Sequence, residues 1–128
     1  MGFADGAAFE NLVLSNLRPL LGLLGLGSVQ ILSAAPFRKN AGKGKGGEGV
    51  QIDLLLQARR TACVVEIKRR REIGREIEDE VARKIRFLPK RDGVSIRTAL
   101  VYEGHLAPIV EADGFFNSVV PFRRLLGI

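Results

Sequence analysis

Apolar side chains recur every three or four positions in three segments of the chain, residues 5–17, 73–88 and 106–112. This spacing gives each segment one apolar face, which is typical of a helix packed against a core. A proline follows each of the first two segments, and an Asp-Gly pair ends the third, so each segment carries its own stop signal. The pattern therefore predicts three helices.

Other apolar stretches are shorter and rich in β-branched residues, which is typical of strands. They cover residues 29–37, 50–57, 61–68 and 95–102, with a last short stretch at residues 119–120. The predicted order is α-β-β-β-α-β-α-β, within a single domain of residues 1–128. Three successive strands favour an antiparallel meander, and the next helix would cross over to a strand parallel to its neighbour. These features predict an α/β sandwich with a mixed central sheet.

Two acidic residues interrupt the apolar runs of the second and third predicted strands. Asp53 lies within VQIDLLLQ, and Glu66 lies within TACVVEIK. Burying an unpaired carboxylate costs several kcal/mol, so these positions indicate a function rather than a contribution to stability. A two-residue or four-residue turn centred on Arg59 and Arg60 would place Asp53 directly opposite Glu66. A three-residue turn would instead shift the pair by one position.

A divalent cation between these two carboxylates would turn their repulsion into binding. Mg²⁺ is a hard cation that prefers oxygen ligands and binds through one or two carboxylates together with water. Lys68 follows Glu66 by two residues, so both side chains point to the same face of the sheet. Its ammonium group can hold a water beside the metal and offset the negative charge that builds on a phosphate during hydrolysis.

The overall charge of the chain favours polyanionic partners, with nucleic acid first among them. Lys and Arg number 20 against 14 Asp and Glu, which gives a formal net charge of +6 and a pI of about 10.1. Cys63 is the lone cysteine, so no internal disulfide forms, and we expect a reducing, cytoplasmic location. The uncharged stretch 19–37 is interrupted by glycines, serines and a proline, so we expect no membrane span.

The acidic residues and the lysine together suggest a family. Asp53, followed by Glu66-Ile67-Lys68 on an adjacent predicted strand, after a helix that bears Glu10, resembles the site of the PD-(D/E)xK nuclease superfamily. The resemblance extends to the usual core of helix, three-strand meander, helix and further strand, and it covers most of the chain. It implies a restriction-endonuclease-like three-layer sandwich and an endonuclease that hydrolyses DNA phosphodiester bonds with a metal. Ile52 replaces the proline of the pattern, which is a common departure.

The same resemblance implies a role for each residue. Asp53 and Glu66 would bind Mg²⁺ or Mn²⁺, together with the backbone carbonyl of Ile67. Lys68 would serve the attacking water, and Glu10 would complete or support the metal site. The segments GAAFENLVLSNL, GVQIDLLL, ACVVEIK and RTALVYEGHL are also similar to nuclease-like domains associated with archaeal and bacterial ATPases. Archaeal-type Holliday junction resolvases share the same skeleton. An ATPase domain or subunit therefore joins DNA among the expected partners.

Several basic residues are candidates for contacts with the DNA backbone. They are Lys43, Lys45, Arg69, Arg70 and Arg71. The two lysines lie in a glycine-rich stretch, and the three arginines directly follow the predicted catalytic strand. A hairpin linker and a solvated basic turn are the alternative interpretations of these two segments.

Glu76 and Glu80 lie near the start of the second long helix, where some relatives carry a further active-site polar residue. The simpler interpretation is a pair of surface acids, favoured by the helix dipole and by Lys84 one turn beyond Glu80.

A catalytically inactive module with the same fold is the alternative to a nuclease. Such a module would bind nucleic acid or dock on an ATPase. A catalytic site should bind Mn²⁺, whereas a docking module need not. A homodimer is a further expectation for an enzyme that cuts two strands.

Overall fold

A computed structural model of the chain describes residues 6–40 and 49–128. The strands in these residues are β1 (Ser33–Lys39), β2 (Val50–Gln57), β3 (Thr61–Ile73), β4 (Ser95–Leu106) and β5 (Ser118–Pro121). They form one sheet in the order β1-β2-β3-β4-β5. Strands β1 to β3 are antiparallel neighbours, whereas β4 and β5 both run parallel to β3. The mixed sheet, the meander and the parallel crossover expected from the sequence are confirmed.

The helices of the described residues are α1 (Gly6–Leu14), α2 (Leu17–Leu23), α3 (Glu76–Ile85) and α4 (Pro108–Asp113), with a 3₁₀ helix at Phe122–Leu126. The sequence predicted one N-terminal helix, and this was wrong because the helix is interrupted at Asn16, between α1 and α2. The side-chain amide of Asn16 donates through Nδ2 to the carbonyl of Leu12 at 2.7 Å, and Pro19 has no N–H to continue the helical ladder. The observed order therefore has one more helix than predicted. None of these helices has the length and apolar character needed to cross a membrane.

Helices pack on both faces of the sheet. On one face, Phe9 and Val13 of α1 join a buried cluster with α2, the 3₁₀ helix and side chains of β2, β3 and β4. On the other face, Ile77 and Val81 of α3 pack with Val110 of α4 over the same strands. Because the central strands bury both faces, their sequences are nearly continuous apolar runs. The expected α/β sandwich is confirmed.

A tight turn sets the register of the β2–β3 hairpin. The N–H of Ala58 donates to the carbonyl of Thr61 at 2.8 Å, which closes the two-residue turn between them. The paired positions run back along the strands to Leu54 with Val65. This is the register that the sequence predicted for a two-residue turn, so the next position on each strand is acidic.

Strands β3 and β4 are longer than their apolar patterns suggested. The sequence predicted that the arginine run after Lys68 would leave the strand, but these arginines are part of β3. The pairing with β4 shifts between Arg69 and Glu72, which indicates a bulge in β3. Gly104 of β4 lies opposite this bulge with φ +125°, and a Cβ there would overlap the carbonyl oxygen of Arg70. Glycine is therefore required at this close approach of the two backbones.

Candidate active site

Asp53 and Glu66 lie where β2 and β3 stop pairing. The exposed fraction is 8% for Asp53 and 0% for Glu66, so both carboxylates are buried. The last described backbone pair is Leu54 with Val65. One step further, Oδ2 of Asp53 accepts the N–H of Ile67 at 2.9 Å. The Asp53 side chain therefore supplies an acceptor to the backbone of β3 and is held in a fixed orientation.

The other side of β2 is also irregular at this point. Ala35 of β1 pairs with Leu55, but Phe37 pairs with Ile52, so β2 advances three residues while β1 advances two. Asp53 lies within this extra step. A bulge of this kind changes the direction in which a side chain points, and such bulges are frequent beside active sites.

Two lysines surround the Glu66 carboxylate. Nζ of Lys84 donates to Oε1 at 2.9 Å and to Oε2 at 3.1 Å. Nζ of Lys68 lies 3.5 Å from Oε2 of Glu66 and 3.4 Å from Oε2 of Glu80. The prediction that Lys68 shares a face with Glu66 is confirmed. Glu66 thus contacts a lysine from β3 and a second lysine from α3, and the charges of both lysines also act on Asp53.

Lys84 is the residue that sequence reasoning missed. We expected it to pair with Glu80 on the helix surface, and this was wrong because its ammonium group contacts Glu66 instead. A signal was present in the spacing, since Lys84 follows Ile77 by seven positions and Val81 by three. It therefore falls on the apolar face of α3, where a charged residue needs a buried partner.

The surroundings of Asp53 and Glu66 disfavour the ionised form of both carboxyl groups. Burial raises the pKa of Asp53 most, and the charge of Glu10 raises it further, against the hydrogen bond from Ile67 and the two lysines. Burial also raises the pKa of Glu66, followed by the charge of Asp53, against Lys84 and Lys68. The net pKa of each carboxyl group is higher than its ordinary value. Additional positive charge would therefore stabilise the site.

Glu10 and Ile67 contribute from the α1 side of the sheet. Glu10 is half-buried on α1, and its charge acts on Asp53, so the structure brings this predicted residue towards the carboxylate pair. Ile67 contributes its N–H to Asp53, while its side chain is buried in the core. The predicted use of the Ile67 carbonyl as a metal ligand remains a prediction.

The donor chemistry of these residues suits a hard divalent cation. Among the residues that the structure describes, no three His, Cys, Asp or Glu side chains converge as a group that could hold a metal ion. Mg²⁺ requires fewer, because one or two carboxylates together with water are its usual protein ligands. Asp53 and Glu66 supply such oxygens, and the charge of Glu10 adds to the negative potential at Asp53. The residues present therefore fit the cation.

The three arginines after Lys68 have different environments. Nε of Arg69 lies 3.2 Å from Oε2 of Glu103, and its guanidinium lies over the ring of Phe9 at 5.8 Å. Arg70 forms an ion pair with Glu80 at 3.4 Å. Arg71 is exposed. Arg71 is therefore better placed than the other two to meet a phosphate.

The other residues that the sequence singled out differ in where they lie relative to the site. Lys43 and Lys45 lie outside the described residues. The carboxylate of Glu76 accepts the N–H of Gly74 at 3.1 Å, which agrees with its interpretation as a helix-surface acid. Glu80 borders the site through its contact with Lys68.

A cavity of about 530 Å³ lies away from these carboxylates. It opens beside the C-terminal end of α3, and its apolar lining includes Leu55, Leu88 and Ile96. Neither Asp53 nor Glu66 lines it. The candidate site therefore lies at the end of the β2–β3 pairing rather than in this cavity.

Cys63 is buried in the core of the sheet. Burial raises the pKa of its thiol to about 11, so the thiol stays protonated at neutral pH and is a poor nucleophile. Cysteine chemistry therefore has no part in the candidate site.

No protein-family model, no curated protein and no solved structure matches the chain. The function therefore has to be inferred from the geometry and chemistry of the residues themselves.

Proposed function

We propose that this protein is a metal-dependent nuclease of the PD-(D/E)xK type that hydrolyses phosphodiester bonds in DNA. The observation that carries the proposal is the burial of Asp53 and Glu66 together at the end of the β2–β3 pairing, beside Lys68. Two buried carboxylates destabilise a fold unless cations compensate them. The net charge of +6 suits a polyanionic substrate.

The proposal also includes a restriction-endonuclease-like fold for the chain. Helix α1, the β1–β3 meander, α3 and β4 follow one another in the order expected of a restriction-endonuclease-like core. The carboxylates lie on the two central strands of that order, which supports the assignment.

Each residue of the site has a distinct task in the proposed reaction. Asp53 and Glu66 would hold Mg²⁺ or Mn²⁺, and the bound cation would supply Lewis-acid chemistry at the phosphate and its attacking water. The N–H of Ile67 orients the Asp53 carboxylate. The ammonium group of Lys68 would hold the attacking water and offset negative charge on the phosphate. Glu80 keeps that ammonium group at the edge of the site.

The basic residues would bind the substrate backbone. Arg71 is exposed on β3, three residues beyond Lys68. It therefore lies on the part of the strand that follows the site. Lys43 and Lys45 would add phosphate contacts from the glycine-rich segment. Such contacts carry no sequence information and would fix the position of the DNA.

The test is a cleavage assay on single-stranded, duplex and branched DNA with Mg²⁺ or Mn²⁺. Asp53→Asn and Lys68→Met should each lower the cleavage rate by about 10²–10⁴-fold, because each removes a group that acts on the reacting phosphate or its metal. Asp92→Asn and Lys90→Met are matched controls at exposed positions after α3, and they should cleave at the wild-type rate. Equal cleavage by the wild type and Asp53→Asn would contradict the proposal.

A catalytically inactive binding module is the second candidate, and one observation favours it. Lys84 contacts both oxygens of Glu66, so this carboxylate has a cation without any metal. Such a module would bind DNA but cleave none of the three substrates, and Mn²⁺ would not raise its Tm.

A further inference from the structure

The ammonium group of Lys84 contacts both carboxylate oxygens of Glu66, as a bound metal cation would. Its Nζ lies 2.9 Å from one oxygen and 3.1 Å from the other, whereas Lys68 lies 3.5 Å from a single oxygen. The Glu66 side chain is 0% exposed, so these two lysines, rather than bulk water, compensate the charge of its carboxylate. Lys84 is therefore the principal counter-ion of Glu66 in the protein alone.

The position of Lys84 would allow its ammonium group to leave Glu66 and find another partner. Its side chain is 17% exposed, so it lies at the boundary between the core and solvent and is not enclosed as Glu66 is. It lies in the last turn of α3, four residues beyond Glu80, whose side chain is 36% exposed. Acidic and basic residues four positions apart on a helix pair favourably. Glu80, which also contacts Lys68 and Arg70, can therefore accept the displaced lysine as an additional partner.

We propose that Lys84 is a built-in counter-ion that a divalent cation must displace from Glu66, so that Lys84 sets the metal affinity of the site. This inference rests on the proposed metal site. Lys84 stabilises the protein alone by neutralising a buried carboxylate, and it opposes metal binding because it occupies the same oxygens. It acts as a positioning residue, and it is distinct from Lys68, which serves the reaction.

The test measures Mn²⁺ affinity by calorimetry at pH 8, with the Tm measured in the absence of metal. Lys84→Met should lower the Tm without metal and bind Mn²⁺ at least about tenfold more tightly than the wild type, because a neighbouring positive charge is removed. Lys84→Gln removes the charge but keeps a donor to Glu66, so it provides the same comparison if Lys84→Met does not fold. Lys84→Arg restores the charge and should restore the wild-type affinity.

Lys90→Met is the matched control, since it removes a lysine at an exposed position beyond α3. Its Mn²⁺ affinity should equal that of the wild type. A structural role alone would lower the Tm of Lys84→Met without tightening Mn²⁺ binding. Equal or weaker binding by Lys84→Met and Lys84→Gln, or no binding by any variant, would therefore overturn the inference.

The cleavage assay separates this inference from the proposed function. Metal-dependent cleavage by the wild type, with no tighter Mn²⁺ binding in Lys84→Met, would retain the nuclease and reject the role of Lys84. Tighter binding in Lys84→Met, with no cleavage by the wild type on any substrate, would retain the role of Lys84 and reject the nuclease.

Discussion

The turn half and the open half of the β2–β3 pair consist of the same two strands but meet different physical demands. In the turn half, Leu54–Gln57 pairs with Ala62–Val65, and most of these side chains are buried and apolar. In the open half, the pairing ends and the next two positions are Asp53 and Glu66. Their buried charges require lysines and a backbone donor to be tolerated. The difference shows that the turn half provides stability, while the open half retains charges that stability alone would not favour.

The largest loss of stability is expected for a substitution that removes a buried side chain from the turn half. Leu56 is 1% exposed within the cluster beneath α1 and α2, so Leu56→Ala should lower the free energy of unfolding by about 2–5 kcal/mol. Chemical denaturation measures this change. Ile96→Ala is the control, because Ile96 is 44% exposed and should lose less than about 1 kcal/mol. Equal losses at the two positions would remove the claim that the turn half holds the fold together.

A smaller effect is expected where the open half continues into the bulge of β3. Gly104→Ala should lower the free energy of unfolding by about 1–3 kcal/mol, because the backbone has φ +125° and the added methyl group meets the Arg70 carbonyl. Gly22→Ala is the matched control, since no atom lies within 4 Å of its added Cβ and α2 tolerates alanine. A Tm for Gly104→Ala equal to that of Gly22→Ala would show that the two backbones separate easily.

The smallest expected effect has the opposite sign and lies in the open half. Burial and the charge of Glu10 raise the pKa of Asp53 above 3.8, so its ionisation is less favourable in the folded than in the unfolded protein. The ionised carboxylate therefore costs stability as the pH rises through the folded pKa. Asp53→Asn should be more stable than the wild type by on the order of 1 kcal/mol at pH 8, and this gain should shrink as the pH falls towards 4.

Urea denaturation at pH 8 and at pH 4 measures the gain from Asp53→Asn. Asn keeps an oxygen that accepts the N–H of Ile67, so the comparison isolates the charge. Asp92→Asn makes the same chemical change at an exposed position and should leave the free energy of unfolding within about 0.5 kcal/mol of the wild type. A loss of stability in Asp53→Asn at pH 8 would mean that the carboxylate contributes to the fold.

The sequence predicted the features that depend on local pattern. Apolar runs were sufficient for the meander, whereas its register depended on the turn length, which the sequence left open between two or four residues and three. The two-residue turn of the structure decides it and brings Asp53 close to Glu66. The parallel crossover to β4 followed from the helix between the strands. These features are local, because turn length and side-chain alternation determine them within a few residues.

The features that the sequence did not predict depend on contacts between distant segments. The extension of β3 through its arginines depends on pairing with β4 and on Gly104, which lies more than thirty residues further along the chain. The pairing of Lys84 with Glu66 depends on how α3 lies across the sheet. A helical pattern reveals that Lys84 is on the apolar face, but it does not identify the strand residue that the lysine meets.

The most direct test of the account is Mn²⁺ binding to the buried carboxylate pair, measured by calorimetric titration of the wild type and Asp53→Asn. The account predicts that the wild type binds Mn²⁺ and that Asp53→Asn, although folded and slightly more stable, loses this binding. Wild-type protein that binds no Mn²⁺, or Asp53→Asn that binds it with unchanged affinity, would contradict the claim that these carboxylates form a metal site.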